Sequence, residues 1–181
     1  MDALESSPGK DYIYAISVQG HGKYPTEKVL KEPKVSVINA PTQELKWEWE
    51  YYVNQVYEMD DFVKQLLDQL EEYGEDVIVV IYGDHLPAID NVLEENLKDG
   101  RNTYQTDYVI WSNFDMDREE GEMYAYELGP EVLDRIGIHN GTFVTYHQNY
   151  RDSETYLEDL EALQYDMLYG KKYIYGEKNP F

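Results

Sequence analysis

Val77-Ile-Val-Val-Ile-Tyr-Gly-Asp-His-Leu-Pro87 is the stretch on which the fold turns. It opens with five consecutive β-branched residues, Val77 to Ile81. A short apolar run of this kind predicts a strand buried on both faces rather than a helix. Gly83 stops the run, Asp84 and His85 follow it, and Leu86-Pro87 turn the chain away. In open α/β sheets, function gathers beyond the carboxyl ends of the strands. A carboxylate and an imidazole at such an end are the best-placed chemistry in the chain. Together they suit a hard or borderline divalent metal, although two ligands alone do not complete a site.

Upstream, Tyr12 to Val18 is rich in β-branched and aromatic residues and reads as a first strand. It ends in Gln19-Gly-His-Gly-Lys-Tyr-Pro25, where two glycines let the backbone bend around His21. Both stretches therefore follow one pattern: an apolar run, a glycine, then a functional side chain. That pattern predicts His21 at the same sheet edge as Asp84 and His85. Taken alone, His21 reads as a surface-turn histidine; only beside the second strand does the site reading stand equal to it. Residues 26–41, with Val35-Ser-Val-Ile38, read as an edge strand or an extended loop.

Between the two strands, Tyr52, Val56, Met59, Val63, Leu66, Leu70 and Tyr73 recur in steps of four and three. This predicts an amphipathic helix over 47–73, with Gly74 as its stop. Strand, helix and strand in this order form a βαβ unit, whose strands run parallel. Downstream, a short helix is expected over 91–98, a third strand over 106–112, and an acidic loop over 115–122 whose Asp-x-Asp is out of register for an EF-hand. Helical segments are expected at 124–128 and 130–136, a short strand or loop at 142–146, and an amphipathic helix at 154–168. The tail from Lys171 reads as an extended segment. His139 and His147 lack metal-ligand spacing and read as structural or solvent-exposed. The expected fold is one α/β domain with a mostly parallel sheet flanked by helices.

Composition narrows the function. The net charge of −22, from 37 acidic and 15 basic residues, argues against a nucleic-acid surface and against docking on anionic lipid. The absence of cysteine excludes disulfides, thiolate metal sites and a cysteine nucleophile. Nineteen tyrosines against four phenylalanines favour half-buried surfaces and water-facing clefts. No stretch approaches the roughly 20 apolar residues of a membrane span. The N-terminal residues lack the pattern of a signal peptide. No HExxH, P-loop, GxGxxG or G-x-S-x-G is present.

Four segments in order carry a resemblance: Tyr14 to Pro25, Val79 to Pro87, Tyr108 to Asn113 and Leu163 to Gly170. This series resembles the sulfatase-like domain of lipoteichoic acid synthases and related phosphoglycerol transferases, in the alkaline phosphatase superfamily. The resemblance implies that Asp84 and His85 ligate a divalent metal, usually manganese, and that His21 lies beside the substrate phosphate as a hydrogen-bonding or acid/base group. It implies transfer of glycerol phosphate from a lipid-linked donor through a phosphothreonine, at the extracellular face of a bacterial membrane. It also implies that residues 1–181 form the C-terminal portion of one such domain, since the family's threonine nucleophile, a further acidic ligand and the membrane helices precede the matching region. Thr26, Thr103 and Thr106 do not stand in the nucleophile's context. The chain alone is then expected to turn over little substrate, to bind metal weakly and to be soluble, with dimerisation through an exposed sheet edge. An alternative from another class is a non-catalytic acidic α/β domain that binds protein or glycan.

Overall fold

The structure is a computed structural model and describes residues 2–6, 8–89, 92, 98, 100 and 102–176. The chain packs as two compact units, residues 1–114 and 115–181. The helix expected over 91–98 lies outside the described residues except for Val92 and Lys98.

The first unit is built on α1, Gln43–Glu71. Thr42 caps it: the threonine is extended, and its hydroxyl accepts the Leu45 amide at 3.2 Å. That bond satisfies one of the amides every helix start leaves free. Gly74, at φ +87°, turns the chain away beyond the helix end, as its sequence position predicts. The burial of α1 departs from the apolar stripe. Its buried residues are Leu45, Glu50, Asn54 and Leu70, whereas Val56 and Phe62 are 45% and 57% exposed. The reason is the neighbour this face has. The extended segment 34–37 lies along it and needs hydrogen bonds more than apolar contact. Asn54 accepts the Lys34 and Val35 amides at 2.7 and 3.1 Å and donates to the Val35 carbonyl at 2.7 Å. The Glu50 carboxylate accepts the Val37 amide at 3.2 Å. On the same N-terminal half of α1, Tyr24, Leu45, Ile89 and Val92 form an apolar cluster, with Trp49, Tyr51, Tyr52 and Leu86 against it.

β1 (Ile78–Tyr82) and β2 (Tyr108–Ser112) are the strands predicted at the Gly-Asp-His motif and before Asn113. They pair antiparallel, with Val80 opposite Ile110. The mostly parallel sheet is therefore not what forms among the described residues, where the sheet has these two strands. β1 is half-buried rather than covered on both faces. Residues 12–18, predicted as a parallel strand, join no sheet among the described residues; Tyr12, Ile16 and Val18 are 90%, 76% and 81% exposed. Strand propensity describes a residue's fit to a pleated surface, whereas direction and partner are set by what lies alongside. Asn113 then locks β1 to the end of α1. Its side chain accepts the Val77 amide at 2.7 Å and donates to the Leu70 and Glu75 carbonyls at 3.0 and 2.8 Å.

The second unit is helical: α2 (Leu128–Arg135), α3 (Thr142–Tyr150) and α4 (Tyr156–Leu168), followed by a 3-10 turn at Tyr173–Tyr175. The tail residues expected to be extended thus include a helical turn. Pro130 sits in the first turn of α2, where its missing amide has no helical partner to lose. Residues 142–146 are the start of α3 rather than a strand or loop. Their β-branched bias is overridden by packing, which seats Phe143 and His147 on one face of the helix, rings 4.7 Å apart. Only Tyr156 and Leu160 of α4 are fully buried, while Leu157 and Leu168 are 59% and 67% exposed.

Two polar centres hold this unit. Glu131, on α2, takes Arg135 at 2.8 Å and Arg151 at 2.5 Å. Burial pushes its carboxyl up, but the two guanidinium hydrogen bonds prevail and hold it below the usual carboxylate range. His147, 2% exposed, bonds through Nδ1 to the Tyr156 hydroxyl at 2.6 Å, and its Nε2 has no partner. Burial lowers the affinity of this imidazole for a proton and pushes the Tyr156 phenol up to about 12. His147 is thus the structural histidine that its spacing suggested. His139 is exposed and meets Gln148 at 3.2 Å. No helix among the described residues is long and apolar enough to cross a membrane.

Candidate functional site

His21, Asp84 and His85 all belong to the first unit and come together. The imidazoles of His21 and His85 meet edge to face, with centroids 6.1 Å apart. His85 Nε2 lies 3.6 Å from Asp84 Oδ2. All three residues are exposed, and the Asp84 and His85 side chains are 79% and 60% exposed. The site is thus an open surface. None of the three lines the recess formed by Val37, Asn39, Ala40, Pro41 and Trp49 in the same unit.

Both imidazoles are held in the same way. His21 Nδ1 lies 2.6 Å from the Gly22 carbonyl, and His85 Nδ1 lies 2.8 Å from the Leu86 carbonyl. A carbonyl oxygen only accepts, so each Nδ1 carries the proton. In the neutral ring a proton on Nδ1 leaves Nε2 as the atom a cation would engage. The two loops thus set the tautomer as well as the position of their histidines.

The donor set fits a divalent cation in part. Two ligand atoms on one ion at bonds of roughly 2.1 Å can stand at most about 4.2 Å apart, and the Asp84–His85 separation falls within that reach. A carboxylate oxygen and a neutral imidazole nitrogen are also the right atom types. Among the described residues, however, no group of three His, Cys, Asp or Glu converges as a metal cluster. Asp84 and His85 can therefore contribute to a cation site without completing it.

The loops bearing these residues are braced from behind. The Tyr24 hydroxyl donates to the Gly20 carbonyl at 2.7 Å, and its ring meets Tyr52 of α1 edge-on at 5.6 Å. The Thr106 hydroxyl donates to the Gly83 carbonyl at 2.7 Å, while the Gly83 amide donates to the Asp107 carbonyl at 3.2 Å. Sequence reading passes over Tyr24 and Thr106 as site residues. Tyrosine is common throughout this chain, and Thr106 stands more than twenty positions from the loop it touches.

A histidine loop and a strand followed by Gly-Asp-His thus share one exposed surface of an α/β unit. The chain belongs to the sulfatase family: the model of that family, described as Sulfatase, matches residues 1–138. This places it in the alkaline phosphatase superfamily. Among curated proteins it is similar to one of Rhizobium meliloti (strain 1021) named "Putative cyclic beta-1,2-glucan modification protein". The two are 24% identical over 202 aligned positions, covering 90% of this chain and 32% of the relative. The chain thus spans about a third of the length of the curated relative it matches. No solved structure matches it.

Proposed function

We propose that His21, Asp84 and His85 form part of a metal-dependent centre that transfers a phosphoglycerol-type group, or hydrolyses a related phosphate or sulfate ester. The observation that carries this reading is the meeting of two histidine loops, one before α1 in the chain and one after β1, with Asp84 beside His85 Nε2. Asp84 and His85 hold the cation, with manganese as the metal that the resemblance to lipoteichoic acid synthases favours. When bound, the cation lowers the pKa of an attacking hydroxyl and offsets charge on the ester oxygens. His21 stands beside the ester. Its Nε2 accepts a proton from an entering alcohol or, once protonated, gives one to a leaving alcohol. Further ligands and the attacking hydroxyl come from outside the described residues.

A lipid-linked glycerol phosphate is the donor proposed from the family resemblance. The relative's name points to a glucan hydroxyl as acceptor. Such chemistry belongs at the outer face of a bacterial membrane. The test is Mn2+ titration followed by the EPR signal of the free ion, on the wild type and on Asp84→Ala and His85→Ala. Both substitutions are expected to weaken binding, and equal binding by all three proteins would sink the reading. Turnover of a model phosphodiester by this chain with Mn2+ is expected to be negligible. Release that His85→Ala abolishes would show instead that the centre is complete.

A further inference from the structure

We propose that Tyr24 and Thr106 are positioning residues, each fixing one histidine loop by donating a hydroxyl to a glycine carbonyl. The inference rests on reading His21, Asp84 and His85 as one centre. The two loops have different sequences and different neighbours, yet share this device. Gly20 precedes His21, Gly83 precedes Asp84-His85, and each glycine carbonyl accepts an O–H at 2.7 Å.

Tyr24 grips both sides of His21. Its hydroxyl holds Gly20, and its ring edge stands 3.5 Å from where a Cβ on Gly22 would lie. Tyr24 is 8% exposed and packed in the apolar cluster, so it is a fixed post. Thr106 acts from the entry to β2. With the neighbouring Asp107 carbonyl it engages both backbone polar groups of Gly83, and its Cβ stands 3.4 Å from where a Cβ on Gly83 would lie. The sheet thereby holds the turn that presents Asp84 and His85.

Simple satisfaction of the two carbonyls does not require these side chains. Gly83 is exposed and Gly20 half-buried, so water could serve either oxygen. What the hydroxyls add is direction. They fix each loop against a rigid element, and second-layer partners of this kind commonly change metal affinity by about 10–100-fold.

The test uses Tyr24→Phe and Thr106→Val, which delete each hydroxyl and keep its shape, and Thr106→Ser, which restores it. Imidazole 15N spectra and ring NOEs are recorded on the metal-free chain, and Mn2+ affinity is measured by EPR. Tyr24→Phe is expected to shift the His21 ring signals and weaken its NOE to His85. Thr106→Val is expected to shift the His85 signals and loosen Mn2+ about tenfold, with Thr106→Ser near wild type. Unchanged ring signals in both deletions would overturn the proposal. If Tyr24→Phe fails to fold, the Thr106 pair decides alone. Failure of the wild type to bind Mn2+ would remove the functional reading, while the imidazole spectra would still decide whether the hydroxyls fix the loops.

Discussion

Asn54→Ala tests how the first unit is held together. Asn54 is 5% exposed and makes four hydrogen bonds. Two are from the Lys34 and Val35 amides, and two go to the Val35 and Glu50 carbonyls. The Glu50 carbonyl lies within α1, so losing its extra donor costs little. The other three bonds are the side-chain anchor of an extended segment. At about 1 kcal/mol each they sum to roughly 3 kcal/mol, and because Lys34 and Val35 are exposed enough for water to replace some of that, the expected loss is about 2–3 kcal/mol. All three tryptophans, Trp47, Trp49 and Trp111, lie in this unit. Tryptophan fluorescence through a urea titration therefore reads its unfolding without the other unit. Asn54→Asp sharpens the test. It keeps the acceptor oxygen but turns the donor into a second oxygen, set against carbonyls now 2.7 and 2.6 Å from the amide nitrogen. At neutral pH it should cost at least as much as Asn54→Ala, and the gap to wild type should narrow when the carboxyl is protonated and can donate again. A loss below about 0.5 kcal/mol for Asn54→Ala, with the Val35 amide as protected from exchange as before, would refute the argument.

The second unit should lose stability on acidification in two stages. His147 takes up protons less readily folded than unfolded, so below its ordinary value of 6.5 the unfolded state binds more protons and stability falls with pH. Glu131 is held below 4.5, so the stability from its two arginines is present above that value and is lost as pH falls through its lower folded value. Hydrogen exchange of α3 from pH 7 to 3 should show both stages, and His147→Phe should remove the first alone; a single-stage loss in the wild type would contradict this. The exposed run Tyr12–Val18 carries no charge and joins no sheet among the described residues, so two copies should associate through it at high salt, where the −22 charge is screened. Sedimentation equilibrium that finds only monomer at high concentration in 1 M salt, or a dimer that survives Ile16→Lys, would count against this.

The strands at 78–82 and 108–112 and the helix at 43–71 were legible because their signals are local: β-branched runs and a repeat near 3.6 residues. The shared punctuation of the two loops, an apolar run ended by glycine, predicted His21 and Asp84-His85 at one edge of a parallel sheet; the imidazoles of His21 and His85 do meet, but without that sheet, since 12–18 joins no strand among the described residues. The direction of strand pairing was not, since nothing in Val77 to Ile81 encodes what lies beside it. Nor was the buried face of α1, because Asn54 and Glu50 look like solvent-facing residues until the segment at 34–37 lies against them. Helix α3 was hidden by its own β-branched residues, Thr142, Val144 and Thr145.

The sequence by itself determined the approximate positions of α1, β1, β2, α2 and α4 and put forward His21, Asp84 and His85 as candidates, because glycine, proline and apolar spacing act within a few residues of themselves. Only the tertiary structure decided that β1 and β2 run antiparallel, that residues 12–18 join no sheet among the described residues, and that the two imidazoles meet at 6.1 Å. Those outcomes depend on groups far apart in the chain: Asn113 joining a strand to a helix end, Tyr24 meeting Tyr52 of α1, and Thr106 reaching the Gly83 carbonyl. No local pattern records such partners, because a hydrogen bond across space leaves no period in the sequence.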